Sequence, residues 1–142
     1  MRIHLNHNIK VGIGIPCLMV GGTEMQTLHL VKALVSLRFQ VKVICYFEYE
    51  PEMVKLFEAE GISVGLLNYP RTFSFIEFIR EFKKYLNIQM LDIFHVQYMA
   101  PGALPIFAAK LAGVRKILAT VHQPHTSSHG RFSKVILNVS SK

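Results

Sequence analysis

Short apolar runs rich in β-branched residues alternate with helical stretches through most of this 142-residue chain. Five runs have the length and composition of buried strands, and they lie at residues 9–15, 41–47, 62–67, 92–96 and 116–121. Helical stretches separate them at residues 23–37, 51–60, 73–86 and 101–112. Near-continuous apolar strands joined through helices indicate a parallel sheet covered on both faces. The sequence therefore predicts an α/β fold, a doubly wound, mainly parallel sheet with helices on both faces.

The composition agrees with one packed domain over residues 1–142, because 51% of the residues are hydrophobic and only 18% are charged. No apolar run approaches the roughly 18 residues that span a membrane, and the opening "MRIHLNHNIK" lacks the apolar core of a signal peptide. Cys17 and Cys45 have no spacing typical of a disulfide framework or a metal site, which favours two small buried thiols in a reducing compartment. We therefore expect a cytoplasmic protein.

The net charge of +7, from 16 basic and 9 acidic residues, indicates attraction to phosphate-bearing partners, anionic membrane surfaces included. It does not indicate nucleic acid. The chain has no Lys/Arg run interleaved with aromatic residues, no zinc-finger spacing and no RNA-binding signature.

Two adjacent glycines, Gly21 and Gly22, stand between the first predicted strand and the first predicted helix. Thr23 and Gln26 have the spacing of a capping box, which predicts a helix beginning near Thr23. The predicted core stripe of this helix consists of Leu30, Ala33, Leu34 and Leu37. Glycines allow close approach to the backbone, and free amides at a helix start favour an anion, so a phosphate or pyrophosphate is the expected ligand. The alternative is that the glycines only turn the chain.

Two better-known phosphate motifs are absent. Gly12 and Gly14 begin a G-x-G-x-x-G pattern, but Cys17 occupies the third glycine position, which argues against a nicotinamide-dependent oxidoreductase. No lysine follows the glycines as a Walker A loop requires.

Several segments in order resemble the N-terminal Rossmann-like half of GT-B glycosyltransferases, in particular the retaining, nucleotide-sugar-dependent enzymes of family four. The segments are "GGTEMQTLHLVKALVSLRFQVKVIC", "FEAEGISVGLL" and "LDIFHVQYMAPGALPIFAAKLAGVRKILATVHQPH", and the resemblance extends over residues 9 to about 125. The family has a glycine-rich loop that opens a helix, a strand of the D-I/V-h-H-x-H type, and a later strand that ends in T-x-H.

The chain departs from the family pattern in three places. Phe39 and Gln40 replace the usual Gly-His before the second strand, and Gln97 and Tyr98 follow His95-Val96 where a second histidine is common. The second Rossmann domain, which carries the E-x7-E motif and most of the donor site, is not represented in these residues. The resemblance thus implies the acceptor-side half of a two-domain enzyme, and we expect the chain alone to be inactive.

The resemblance also implies roles for individual residues. Gly21, Gly22 and Thr23 would face the diphosphate of a nucleotide-sugar donor, with no further cofactor. His122, the histidine of T-x-H, would lie near the reacting sugar as a catalytic residue. Glu24 would contact the acceptor, a sugar or a lipid-linked molecule, or else stabilise the helix start. The alternative function is a stand-alone nucleotide- or phosphate-binding module, or a subunit that docks a separate partner.

The histidines also raise two further possibilities, a metal site and a structural role in the core. His122, His125 and His129 form H-x2-H-x3-H, but no cysteine or carboxylate stands nearby, so we predict no metal site. His95 lies within an apolar strand, which favours a hydrogen-bonded core histidine. Its position near the carboxyl end of that strand also makes it, with Gln97, a candidate for the cleft.

Residues 71–86 combine phenylalanines and isoleucines with four cations. Such a helix can dock on anionic lipid at the inner face of a membrane. The favoured interpretation is that its aromatic residues cover the sheet while the cations face water.

Overall fold

The computed structural model describes residues 9–98, 103–121 and 135–140. Four helices alternate with the first five strands, and a sixth strand follows. The strands are β1 (Lys10–Ile15), β2 (Gln40–Cys45), β3 (Ser63–Leu66), β4 (Ile93–Tyr98), β5 (Lys116–Val121) and β6 (Val135–Ser140). The helices are α1 (Gly22–Ser36), α2 (Pro51–Ala59), α3 (Phe75–Gln89) and α4 (Leu104–Leu111).

All six strands form one sheet in the order β3-β2-β1-β4-β5-β6. Strands β1 to β5 are parallel, whereas β6 pairs antiparallel with β5. The chain moves outward from β1 to β3 and then returns to place β4 on the other side of β1, so the direction of winding reverses between β1 and β4. The predicted doubly wound, mainly parallel sheet is confirmed, and β6 adds an antiparallel edge strand to it.

A hydrophobic core covers each face of the sheet, because alternate residues of each strand point to opposite sides. Helices α1 and α2 pack on one face over Ile13, Ile15 and Val43. Helices α3 and α4 pack on the other over Ile44, Phe94 and Ile117. The prediction of helices on both faces is confirmed.

Helix α1 differs from its predicted form in both its start and its buried face. Gly21 is the N-cap, with no side-chain cap, and Thr23 lies inside the first turn, so the predicted Thr23–Gln26 capping box is wrong. The buried residues are Glu24, Thr27, Leu28 and Val31. Ala33 and Leu37 of the predicted stripe are exposed, so the buried stripe is rotated from the one that hydrophobicity predicted.

Helix α3 is the helix with a complete capping box. The Ser74 hydroxyl accepts a hydrogen bond from the Glu77 amide at 3.2 Å, and the Glu77 carboxylate accepts one from the Ser74 amide at 2.7 Å. The hydrogen bond from the Ser74 backbone is the main reason that the pKa of Glu77 lies below its usual range.

Among the described residues, no helix has both the length and the apolar character needed to cross a membrane.

Candidate functional site

The glycine loop lies where the winding of the sheet reverses. It follows β1, whose neighbours in the sheet are β2 and β4. In open α/β sheets, ligands bind outside the carboxyl ends of the strands at this switch point. The fold therefore brings Gly21 and Gly22 to the same edge of the sheet as the last residues of β4 and β5.

The first half of the loop is fixed to the segment that follows β2. The Leu18 amide donates to the Glu48 carbonyl at 3.0 Å, and the Glu50 amide donates to the Leu18 carbonyl at 2.8 Å. The Phe47 amide donates to the Pro16 carbonyl at 3.0 Å. Beyond Leu18 the side chains of Met19 and Val20 are exposed. The loop thus has an anchored base and an exposed tip directly before the helix.

The start of α1 is accessible at Gly22. The Gly21 carbonyl accepts the first helical hydrogen bond, from the Met25 amide at 3.2 Å. A Cβ atom built on Gly22 would meet no described atom within 4 Å. The first amides of a helix have no partner within the helix, and the positive end of the helix dipole favours an anion there. This end of α1 therefore has the backbone chemistry of a phosphate site.

Glu24 is folded back over the glycine at the N-cap. Its side chain is only 8% exposed, and a Cβ atom on Gly21 would lie 2.6 Å from its Oε2 atom. The Cys17 thiol lies 4.0 Å from Oε1, at the limit of hydrogen-bond distance. A side chain at position 21 would therefore displace the Glu24 carboxylate from this place. A carboxylate in the first turn stabilises the helix start, and its negative charge lies on the Gly21 side of the helix end.

A polar cluster lies near the carboxyl ends of β4 and β5. His95 Nε2 is 2.7 Å from Thr120 Oγ1 and 3.4 Å from the Gln97 side-chain nitrogen. Both contacts are within hydrogen-bond distance, so His95 Nε2 lies between the Thr120 hydroxyl and the Gln97 amide. Gln97 and Thr120 are buried and His95 is half-buried, which confirms the hydrogen-bonded core histidine.

His122, the predicted catalytic residue, lies outside the described residues, as do His125 and His129. The described part of β5 ends at Val121, immediately before His122 in the chain. The assignment of His122 as catalytic therefore stays a prediction.

A second cluster joins the loops that follow β2 and β3. The Arg71 guanidinium donates to both carboxylate oxygens of Glu48, at 2.8 and 2.6 Å, and lies 4.1 Å from the centre of the Phe47 ring. Glu48 also accepts the Leu18 amide through its carbonyl. The Arg71–Glu48 pair thus braces the segment to which the base of the glycine loop is fixed. Its hydrogen bonds hold the pKa of Glu48 at about 2.

We expect Arg71→Met to raise the pKa of Glu48 from about 2 towards its ordinary value of 4.5. Because the folded-state pKa is lowered, the pair stabilises the protein above pH 4.5, and this contribution is lost as the pH falls from 4.5 towards 2. An NMR titration of the Glu48 carboxyl carbon measures the change. Arg80→Met is the matched control, because Arg80 pairs with Glu81 instead. A Glu48 pKa near 4.5 in the unaltered protein would contradict the bidentate pair.

Sequence reasoning did not find Thr120 or the Arg71–Glu48 pair. Thr120 is the threonine of the T-x-H segment, and the register that pairs Gln97 with Thr120 brings it to His95. The strand register is visible only in the fold, whereas the T-x-H motif that contains Thr120 is recognisable in the sequence. The Arg71–Glu48 pair joins two loops 23 residues apart and has no local signature.

The sheet order, the glycine loop and the switch point define a Rossmann-like domain of the type that forms the N-terminal half of GT-B glycosyltransferases. The sequence profile of Glycosyltransferase Family 4 matches residues 20–141, and the chain belongs to that family.

A solved structure has a similar fold. The crystal structure of a glycosyltransferase from Rickettsia africae ESF-5 matches 84% of this chain with a TM-score of 0.64 and 21% sequence identity. The match covers 32% of the Rickettsia chain, so the present chain spans about a third of that protein's length. No curated protein matches the chain.

Proposed function

We propose that this chain takes part in the transfer of a sugar from a nucleotide-diphosphate-sugar donor to an acceptor, as the acceptor-side half of a glycosyltransferase. The observation that carries the proposal is the open N-terminus of α1 at the switch point, where Gly22 leaves the approach to the helix amides clear. Membership of Glycosyltransferase Family 4 supports the transfer of a sugar.

The donor diphosphate would bind against Gly21, Gly22 and Thr23. Backbone amides and the helix dipole supply the positive potential, so this site needs no lysine or metal ion of its own. The buried Glu24 carboxylate occupies one side of the same helix end, and the phosphates would therefore approach from the Gly22 side.

The acceptor, a sugar or a lipid-linked molecule, would lie between Glu24 and the polar cluster on β4. Glu24 offers carboxylate oxygens to a hydroxyl, while His95 and Gln97 set the polarity at the end of β4. His122 follows β5 in the chain and would contact the reacting sugar as the catalytic residue.

A second domain, or a partner subunit, would cover the glycine loop and supply most of the donor site. Around the loop, Met19, Val20 and Met25 are exposed large apolar side chains, which suits a surface that another domain covers. Closure between two domains positions donor and acceptor and excludes water. We propose a cytoplasmic site of action, because both cysteines are free thiols.

The test begins with the gene beyond the codon for Lys142. We expect the reading frame to continue into a second α/β half with an E-x7-E motif, and the whole product to release nucleoside diphosphate from one of a panel of nucleotide sugars when acceptor is present. The 142-residue chain should release none. Turnover by the chain alone, or a stop codon with no partner that restores turnover, would contradict the proposal.

In the active protein, Gly22→Val should lower kcat/KM roughly a hundredfold, because the added side chain blocks the approach to the helix amides. Its thermal stability should be unchanged, since nothing described lies within 4 Å of the new Cβ atom. Leu56→Ala, at an exposed position on α2, is the control and should keep full activity. Equal activity of all three proteins would argue against a diphosphate at Gly22.

A further inference from the structure

The outer surface of α3 and α4 carries exposed apolar side chains that the fold does not use. The two helices pack side by side on one face of the sheet. Ile76 and Ile88 on α3 are 75% and 77% exposed, and Phe107 and Leu111 on α4 are each more than half exposed. We call the outward surface of these two helices the α3–α4 face.

Two exposed isoleucines of α3 flank two cations along one row. Ile76, Arg80, Lys84 and Ile88 follow one another at intervals of four residues, which places them on one side of the helix. The row extends about 18 Å at the helical rise per residue. The opposite side of the same helix carries Phe78, Phe82 and Leu86, which fill the core. Core packing therefore explains Phe78 and Phe82 but not the exposed isoleucines.

The charge of the α3–α4 face is positive. The two helices carry four cations, Arg80, Lys83, Lys84 and Lys110, against two carboxylates. Glu77 is turned back to cap its own helix, and Glu81 pairs with Arg80 and Lys84. Within the part of the chain that the structure describes, Lys83 and Lys110 form no ion pair.

The layer formed by α1 and α2 on the other face of the sheet differs in its charge and in its exposed apolar residues. Helices α1 and α2 carry two lysines against three glutamates. The large apolar residues exposed within these helices are Met25, Val35 and Leu56, each less than half exposed, and Leu37, which ends α1, is 65% exposed. On the α3–α4 face, unlike the layer of α1 and α2, exposed apolar side chains thus coincide with an excess of positive charge.

We propose that the α3–α4 face docks on an anionic lipid bilayer. The apolar residues would enter the boundary between headgroups and acyl chains, and the lysines and arginines would contact lipid phosphates. A bilayer suits this face better than a protein partner does, because the two isoleucines on the α3 row are separated by two cations and do not form one apolar patch. Cationic side chains can lay their stems along the apolar surface and place their charges at the headgroups. The residues that carry this proposal lie on α3 and α4, whereas those that carry the proposed function lie at the start of α1.

The experiment is co-sedimentation of the 142-residue chain with vesicles of phosphatidylglycerol and phosphatidylcholine in equal parts, compared with phosphatidylcholine alone. We expect binding to the anionic vesicles only, weakened by added salt. Ile76→Glu/Ile88→Glu should weaken binding roughly tenfold or more, since two apolar side chains are lost from the bilayer and two negative charges added. Leu56→Glu, which adds one negative charge at an exposed apolar position on α2, should leave binding unchanged. Lys83→Gln/Lys110→Gln should reduce both the affinity and its salt dependence.

Three results would overturn the proposal. The first is recovery of the unaltered chain only in the supernatant with anionic vesicles. The second is a loss of binding by Leu56→Glu as large as that of the α3 variant. The third is a dimer, detected by sedimentation velocity, that Ile76→Glu/Ile88→Glu abolishes, which would assign the face to a second copy of the chain. All the substituted positions are exposed or half-buried, and unchanged thermal unfolding of each variant excludes loss of the fold as the cause.

Discussion

Gly14→Ala is expected to lower the free energy of unfolding by about 3 kcal/mol, a large part of the stability of a domain of this size. Gly14 lies in the buried central strand β1, and the Tyr46 hydroxyl and the Phe94 ring pack directly against it. An alanine Cβ atom would overlap the tyrosine oxygen and would lie 2.6 and 2.9 Å from two ring carbons of Phe94. Neither aromatic residue can move without disturbing the core on this face.

Gly22→Ala is the matched control, because the same added methyl group meets no described atom within 4 Å. Its stability should equal or slightly exceed that of the unaltered chain, since alanine has the higher helix propensity. Urea unfolding of the three proteins measures both effects. Equal stability of Gly14→Ala and Gly22→Ala would show that the aromatic packing does not require a glycine at position 14.

Phe82→Ala should have a still larger effect, a loss of about 4 kcal/mol. The Phe82 side chain is 0% exposed, and its ring centre lies 5.1 Å from that of Tyr46 and 5.6 Å from those of Phe78 and Phe94. Removing the ring leaves a cavity between α3 and the sheet that these neighbours cannot fill without leaving their own contacts.

Phe75→Ala, the same substitution seven residues earlier on α3, is the control. Phe75 is 73% exposed, so its removal should change the free energy of unfolding by less than about 0.5 kcal/mol. Thermal and urea unfolding should agree on this contrast. Similar losses from the two variants would contradict the assignment of Phe82 to the core and of Phe75 to the surface.

The fold was predictable because the strands carry its signal locally. Each of the five parallel strands is a short apolar run, and a helix of adequate length stands between consecutive runs. Helix α1 was the exception. Its buried face includes Glu24 and Thr27, and the Thr27 hydroxyl is satisfied by the Thr23 carbonyl at 2.8 Å. Hydrophobic periodicity misplaces a helix face that buries polar residues, and such faces are typical of functional sites.

The candidate site was predictable only in part. The paired glycines and the helix behind them can be identified from neighbouring residues, and so can the T-x-H segment. The contact between His95 and Thr120 joins residues 25 positions apart, and the approach of Glu24 to Gly21 depends on which residue begins the helix. These features follow from strand register and loop conformation, which local composition does not determine.

The central claim is that the open start of α1 holds a diphosphate. The most direct measurement is an NMR titration of the uniformly 15N-labelled chain with uridine diphosphate. We predict saturable shifts of the Gly22 and Thr23 amides, with loss of these shifts in Gly22→Val. A crevice of about 210 Å³ at the opposite, amino edge of the sheet is lined by Lys10 and Lys42 and offers a competing anion site. Shifts confined to that crevice, or no shift at Gly22, would contradict the account.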